Sequence, residues 1–386
     1  MMRYSVAARL RTGRFRRPLV RVLVAALTAA VASAAVSSWS FGWALTQSAR
    51  AESPPLIGFS FSPISAEYYG DQPRAALATL LSILAPDIVR LPVFWERVEP
   101  ARGRFDFGEL DGLLATVRQH NRLMPQRPTR VVLIVGARNI GYPEVHVPDW
   151  MPLSSSKPLA GVLADPAYTT YFSHTIARYT RDTLLAAWQV ENEALDDVKS
   201  PLVASTEIPV EDIQEDIATV HRLDTDTPVI VTTYNNSTLS LDLEQISAPN
   251  ARKFDQSGAT PVGHPQSTMQ LTDVLGMDAY VATGSTSLTD AGVVKRVGWK
   301  VAALKYWADE ARAAGKPMWI TEMQGEAWAG QTNFKPADMV LSAREYRRVG
   351  AAAILLWGVE GWLHDSSWMA AGMQARGLLG SQSAVV

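Results

Sequence analysis

The chain has 386 residues, 47% of them hydrophobic and 19% charged, which supplies one large core and does not fit disorder or a coiled coil. It contains no Cys, so disulfides, thiolate metal sites and a cysteine nucleophile are excluded. Residues 1–51 hold eight Arg and no acidic residue, and the remainder sets 28 Lys and Arg against 38 Asp and Glu, a net charge of −10. An acidic body of this kind does not attract nucleic acid or anionic lipid.

The basic start therefore reads as a local device for export. Basic residues, including the pair Arg16-Arg17, precede an uncharged run from Val22 to Leu45, and Ala49-Arg50-Ala51 fits the small-residue pattern of a cleavage site. A run of this length is also long enough to cross a bilayer. Residues 1–51 are thus a signal peptide or an N-terminal membrane anchor. In either case the rest of the chain is expected outside the cytoplasm: secreted, periplasmic or anchored on the outer side of the membrane.

From residue 52 to residue 386 short β-branched runs alternate with longer amphipathic stretches, the pattern of parallel strands joined by helices. The predicted strands are Leu56–Phe61, Ile88–Phe94, Arg130–Val135, Leu185–Val190, Pro228–Thr233, Val274–Val281, Pro317–Thr321 and Ala352–Trp357. Helices are predicted over Arg74–Leu84, Glu109–His120, Tyr168–Thr183, Val210–Leu223, Val301–Ala314 and Pro336–Val349. The stretch Leu239–Leu271, rich in Ser, Asn, Gly and Pro, reads as one long loop. A doubly wound open sheet has the same local pattern, but the count of eight favours a single (β/α)8 TIM barrel.

In such barrels the chemistry gathers where the strands end. The fourth run closes with Trp188-Gln189-Val190-Glu191-Asn192-Glu193 and the seventh with Ile320-Thr321-Glu322. A lone Glu after a strand is usually a solvated loop residue. Two of them on opposed strands, in the company of Asn, Gln, Trp and Tyr, fit the pair of carboxyl groups that cleaves a glycosidic bond.

These motifs resemble those of the clan A glycoside hydrolases. Trp188-Gln189-Val190-Glu191-Asn192-Glu193-Ala194 looks like the fourth-strand motif with the acid/base, and Ile320-Thr321-Glu322 like the seventh-strand motif with the nucleophile. The similarity extends to Val89-Arg90-Leu91-Pro92, Trp95 and Glu99-Pro100 around the second strand. It implies a (β/α)8 barrel and a retaining mechanism on a β-glycosidic bond, with Glu193 as acid/base and Glu322 as nucleophile. It further implies that Arg90 hydrogen-bonds the nucleophile, Asn192 meets the sugar 2-hydroxyl, Tyr280 orients Glu322 and Trp357 forms a stacking floor. The partner so implied is a carbohydrate of the cell envelope or surroundings, with no cofactor and no metal.

The departures are informative too. The third run ends Val135-Gly136-Ala137-Arg138-Asn139, where family 10 xylanases place a His, which leaves Asn139 as a candidate substrate contact. Gln324 and Trp328, with Glu326, follow the nucleophile in a pattern similar to that of little-characterised bacterial members of the clan, and join the candidates for sugar binding. Asp224-Thr225-Asp226 has the spacing of a glycosyltransferase metal triplet but stands before Pro228, where Asp and Thr are ordinary turn residues. The six His are scattered, and neither a phosphate loop nor a serine nucleophile elbow occurs. A sugar-binding barrel without turnover, or a transglycosylase using the same site, are the alternatives to a hydrolase.

Overall fold

A computed structural model of the chain describes residues 54–235, 239–247, 262–282, 288–327 and 334–380. The signal or anchor segment, Trp328 and the middle of the 239–271 stretch lie outside them. The strands β1 (Leu56–Ser60), β2 (Ile88–Phe94), β3 (Arg130–Gly136), β4 (Leu185–Val190), β5 (Val229–Tyr234), β6 (Val274–Ala279), β7 (Met318–Gln324) and β8 (Ala353–Trp357) are all parallel, each paired with the next. β8 returns to β1 through the register Leu56 to Ala353, so the sheet closes and the open-sheet alternative is excluded.

Side chains alternate along each strand between two environments. Ile88, Val132, Ala187, Ile230, Val274, Trp319, Ala353 and Leu355 form one buried cluster that fills the barrel interior. Residues of opposite parity, such as Val89, Leu91, Val131 and Leu133, join the larger cluster beneath the helices. Gly58 on β1 is required by crowding, since a Cβ there would lie 2.2 Å from the Ile88 carbonyl oxygen.

The helices form where capping and periodicity agree. In α1 (Pro166–Tyr179), Pro stands at the first position and the Asp165 carboxylate accepts from Ala167 N at 2.9 Å, which stops the chain from fraying. Its residues Tyr168, Tyr171, Phe172, Thr175, Ile176 and Tyr179 recur at helical spacing and are buried against the barrel. α2 (Val210–Leu223) has the bounds expected from the sequence.

Two expectations need correction. The stretch read as one loop contains the helices α3 (Leu239–Ser247) and α4 (Pro265–Leu271), because Pro265 opens a turn that the composition hid. The helix expected at Val301 begins eleven residues earlier, as α5 (Asp290–Ala313), since the Thr289 hydroxyl accepts from Gly292 N at 3.1 Å and caps it. Charged residues Lys295, Arg296 and Lys300 had blurred its apolar stripe. Gly315, with φ of +74°, then turns the chain into β7.

Among the described residues no helix is long and apolar enough to cross a membrane.

Candidate active site

The end of β4 is shaped by two residues that pay no heed to ordinary strand alternation. Glu191 has φ of +57° and Glu193 φ of +45°, left-handed conformations that cost a non-glycine residue on the order of 1 kcal/mol each. The reversal sends consecutive side chains in different directions. Glu191 turns toward the helix layer, where its carboxylate accepts from Ala137 N at 3.0 Å, Arg138 N at 2.5 Å and the Tyr168 hydroxyl of α1 at 2.7 Å. Gly136 makes room for it, because a Cβ at that position would lie 2.3 Å from the Glu191 carboxyl carbon. Asn192 turns inward and its Oδ1 accepts from Arg90 Nη2 at 2.6 Å. Glu193 is held through its backbone, with its N–H donating to Thr232 Oγ1 at 2.8 Å. Among the described residues no hydrogen bond engages its carboxyl group, and Arg138 Nη2 stands 3.6 Å from it.

Across the barrel, β7 carries a bulge. Met277 of β6 pairs with Ile320, yet the next residue Asp278 pairs with Glu322, which leaves Thr321 as an extra residue. A bulge bends the strand and re-aims a side chain. Thr321 Oγ1 accordingly donates to Asp278 at 2.6 Å, while the adjacent Glu322 reaches into the mouth of the barrel. There Glu322 Oε1 accepts from Arg90 Nη1 at 2.6 Å and Oε2 accepts from the Tyr280 hydroxyl.

Arg90 is the hub. It is fully buried, and its remaining donors reach Gln189 Oε1 at 2.7 Å and Ser60 Oγ at 3.2 Å. Side chains from β1, β2, β4 and β7, with Asn192 after β4, therefore converge on one guanidinium at the C-terminal mouth. Glu193, three residues beyond β4, and Glu322, near the end of β7, lie at that C-terminal face, exposed by 5% and 3%.

Electrostatics separate the groups. Burial, reinforced by the negative charges of Glu144, Asp278 and Asp196 and opposed by Arg138, pushes the Glu193 carboxyl well above the ordinary carboxylate range. The shift favours its protonated form. Burial, with the Glu322 charge next, also raises the Tyr280 hydroxyl, which keeps its proton to donate to Glu322. Asp278 is likewise raised, first by burial and then by Glu322. Burial lifts Glu191 to about 7 against the hydrogen bonds that favour its anion.

The sequence-predicted residues divide into three groups. Arg90, Asn192, Tyr280 and Glu322 are joined by hydrogen bonds, and Glu193 follows Asn192 in the chain with its carboxyl group beside Arg138. Trp357 ends β8, partly exposed, in the parity of the inward-facing Ala353 and Leu355. Asn139 and Gln324 are buried and committed to backbone. Asn139 Nδ2 donates to the carbonyls of Ile134 and Val93 and its Oδ1 accepts from Ile140 N, so it holds the turn after β3. Gln324 Oε1 accepts from Val281 N and Ala282 N at 2.9 Å, and its Nε2 donates to Ala282 O, which ties the loop after β6 to β7. Asp224 caps its own turn, accepting from Asp226 N and Thr227 N, at the opposite end of the barrel from the site.

Sequence reasoning passed over Arg138, Glu144, Glu191 and Asp278. The only signal for Arg138 was its place at the end of a strand. Glu144 sits within a loop that has no periodic pattern, and Glu191 stands in the fourth-strand motif beside the Glu that carries the resemblance.

No protein-family model and no curated protein matches the sequence. Solved structures do resemble the fold. The GH5_18 protein of Streptomyces cattleya, in complex with GlcNAc, has a TM-score of 0.54 at 14% identity over 79% of this chain and 70% of that one. A GH5_18 protein of Bifidobacterium longum subsp. infantis has a TM-score of 0.53 at 12% identity, over 85% of this chain and 79% of the other. A β-galactosidase from the Antarctic haloarchaeon Halorubrum lacusprofundi reaches 0.55 at 14% identity, over 85% of this chain and 58% of that enzyme. The chain is thus similar in fold to clan A glycoside hydrolases, the group its strand-end motifs resemble.

Proposed function

We propose that the chain is a retaining glycoside hydrolase that cleaves a β-glycosidic bond, with Glu193 as acid/base and Glu322 as nucleophile. The observation that carries this reading is the Arg90 hub, which bonds Glu322 and the Asn192 beside Glu193 at once. One carboxyl group of the pair is ion-paired, and the other is buried, pushed toward its protonated form chiefly by that burial, and free of hydrogen bonds within the described residues.

Those two states are what double displacement requires. In the first step a Glu322 oxygen forms a bond to the anomeric carbon as the bond to the leaving oxygen breaks, and that oxygen takes the proton of Glu193. In the second, Glu193, now an anion, removes a proton from water while the water oxygen attacks the anomeric carbon and releases Glu322. Asn192 offers its NH2 to the sugar 2-hydroxyl, Tyr280 and Arg90 hold Glu322 in line, and Trp357 presents a ring to the apolar face of the sugar. The basic and apolar N-terminal stretch and the acidic body support action outside the cytoplasm, on an envelope or extracellular glycan.

A panel of aryl β-glycosides and β-glycans, assayed with wild type and the Glu193→Ala and Glu322→Gln variants, tests the reading. Glu193→Ala should lose about 10²–10⁴-fold on substrates with poor leaving groups, whose oxygen needs the proton. On substrates with good leaving groups, azide should rescue turnover by attacking the glycosyl-enzyme to give a β-glycosyl azide. Full activity in Glu322→Gln would refute the nucleophile.

A further inference from the structure

Arg138, in the loop after β3, is fully buried and fixed by the backbone that carries Glu193: its Nη1 donates to the carbonyl oxygens of Glu193 and of Asp196, the latter at 2.5 Å. Its Nη2 faces two carboxyl groups. Glu144 Oε2 takes a hydrogen bond from it at 3.2 Å, whereas Glu193 Oε2 lies at 3.6 Å, beyond hydrogen-bond range. Glu144 is presented by a tight turn, with φ of +64°, its N–H donating to Gly141 O at 2.7 Å and its carbonyl accepting from Asn139 N at 3.0 Å. Its side chain keeps 28% of its exposure, against none for Arg138. The groups that act on Glu193 are Arg138 and Glu144 from the loop after β3, Asp196 (paired with His264) from the loop after β4, Asp278 from β6, and Tyr280, which also bonds Glu322.

We propose that Glu144 is a positioning residue: by engaging Nη2 of Arg138 it keeps that guanidinium from closing on the Glu193 carboxyl, so that Glu193 retains the proton it must give to the departing oxygen. The inference rests on the reading of Glu193 as the acid/base. A guanidinium in direct contact with a carboxyl group favours its anion, and a second carboxylate nearby disfavours it. Burial raises the Glu144 carboxyl itself, Arg138 opposes that, Glu322 adds to it and His146 opposes it. In its ionised form Glu144 does both jobs, since it occupies the cation and adds a negative charge. Removing it should therefore release Nη2 toward Glu193 and withdraw a repelling charge, two changes of the same sign.

The test is a titration of [13C]carboxyl-labelled glutamate in the full chain by NMR, with the Glu193 signal assigned from its loss in Glu193→Gln. In Glu144→Gln, which is isosteric and partly exposed, the Glu193 midpoint should fall by about one pH unit or more, a tenfold loss of proton affinity. Glu144→Asp, which keeps the charge, should restore most of it, and a role confined to loop packing would not produce that split. On any aryl β-glycoside that the wild type cleaves, the basic limb of the pH profile should move to lower pH in Glu144→Gln by the same amount. A Glu193 midpoint in Glu144→Gln that is unchanged or higher overturns the proposal. The titration needs no turnover, so a wild type that cleaves no glycoside would sink the glycosidase reading while the competition for Arg138 is still decided.

Discussion

Arg90 shows at residue scale why this site is both stable and exacting. It is a fully desolvated cation whose donors meet Glu322, Asn192, Gln189 and Ser60, so removing it leaves the Glu322 carboxylate buried without its counter-charge. Breaking one side of a buried pair costs about 3–5 kcal/mol. Arg90→Met is expected to lower the free energy of unfolding by about that amount in urea titrations and to abolish glycoside cleavage, whereas a surface change such as Arg312→Met should do neither. That Arg90, Asn192, Tyr280 and Glu322 would share one mouth was legible in the sequence, because each sits in or just after a strand of the barrel pattern. The backbone bonds of Asn139 and Gln324 were not legible, since a sequence names an amide but not the loop carbonyls and N–H groups that meet it. Arg138 and Glu144 were invisible as partners, because their pairing depends on a turn that brings residues six apart onto one guanidinium.

At the scale of elements, the site depends on irregularities that periodicity does not reveal. The bulge at Thr321 and the positive φ of Glu191 and Glu193 re-aim the ends of β7 and β4, and nothing in an alternating apolar pattern announces either. The seam where the barrel closes has its own carboxyl group. Glu360, in the turn after β8, accepts from Ser62 N, just beyond β1, at 2.5 Å and is buried. Burial raises it to about 8 despite that hydrogen bond. A carboxyl group whose folded value lies above its unfolded one binds protons more tightly in the native state, so its contribution is complete below about pH 4.5 and is lost as pH rises through about 8. Glu191 and Glu326, each raised to about 7 chiefly by burial, act in the same direction. Unfolding free energy is expected to fall between pH 5 and pH 8.5, and Glu360→Gln, which can still accept from Ser62 N, should flatten that slope. Equal slopes for variant and wild type in urea titrations across the range would contradict the assignment.

For the whole molecule, eight alternations of strand and helix were readable from β-branched runs and turn residues, and their count pointed to closure. The closure itself is a relation between Leu56 and Ala353, nearly 300 residues apart, which no local pattern carries. Helices α3 and α4 were hidden for the opposite reason, because a composition rich in turn residues concealed two short helices. The parallel closed barrel then explains why residues from β2, β4 and β7 share one mouth: all strands point the same way, so their ends meet on one face. The central claim is that Glu322 becomes the glycosylated residue. It is tested most directly by incubating the protein with a set of 2-deoxy-2-fluoro-β-glycosides bearing good leaving groups, followed by peptide mass mapping. The expected result is one added glycosyl group on the peptide that contains Glu322. A label on another residue, or cleavage of the parent glycosides with inverted anomeric configuration, would contradict it.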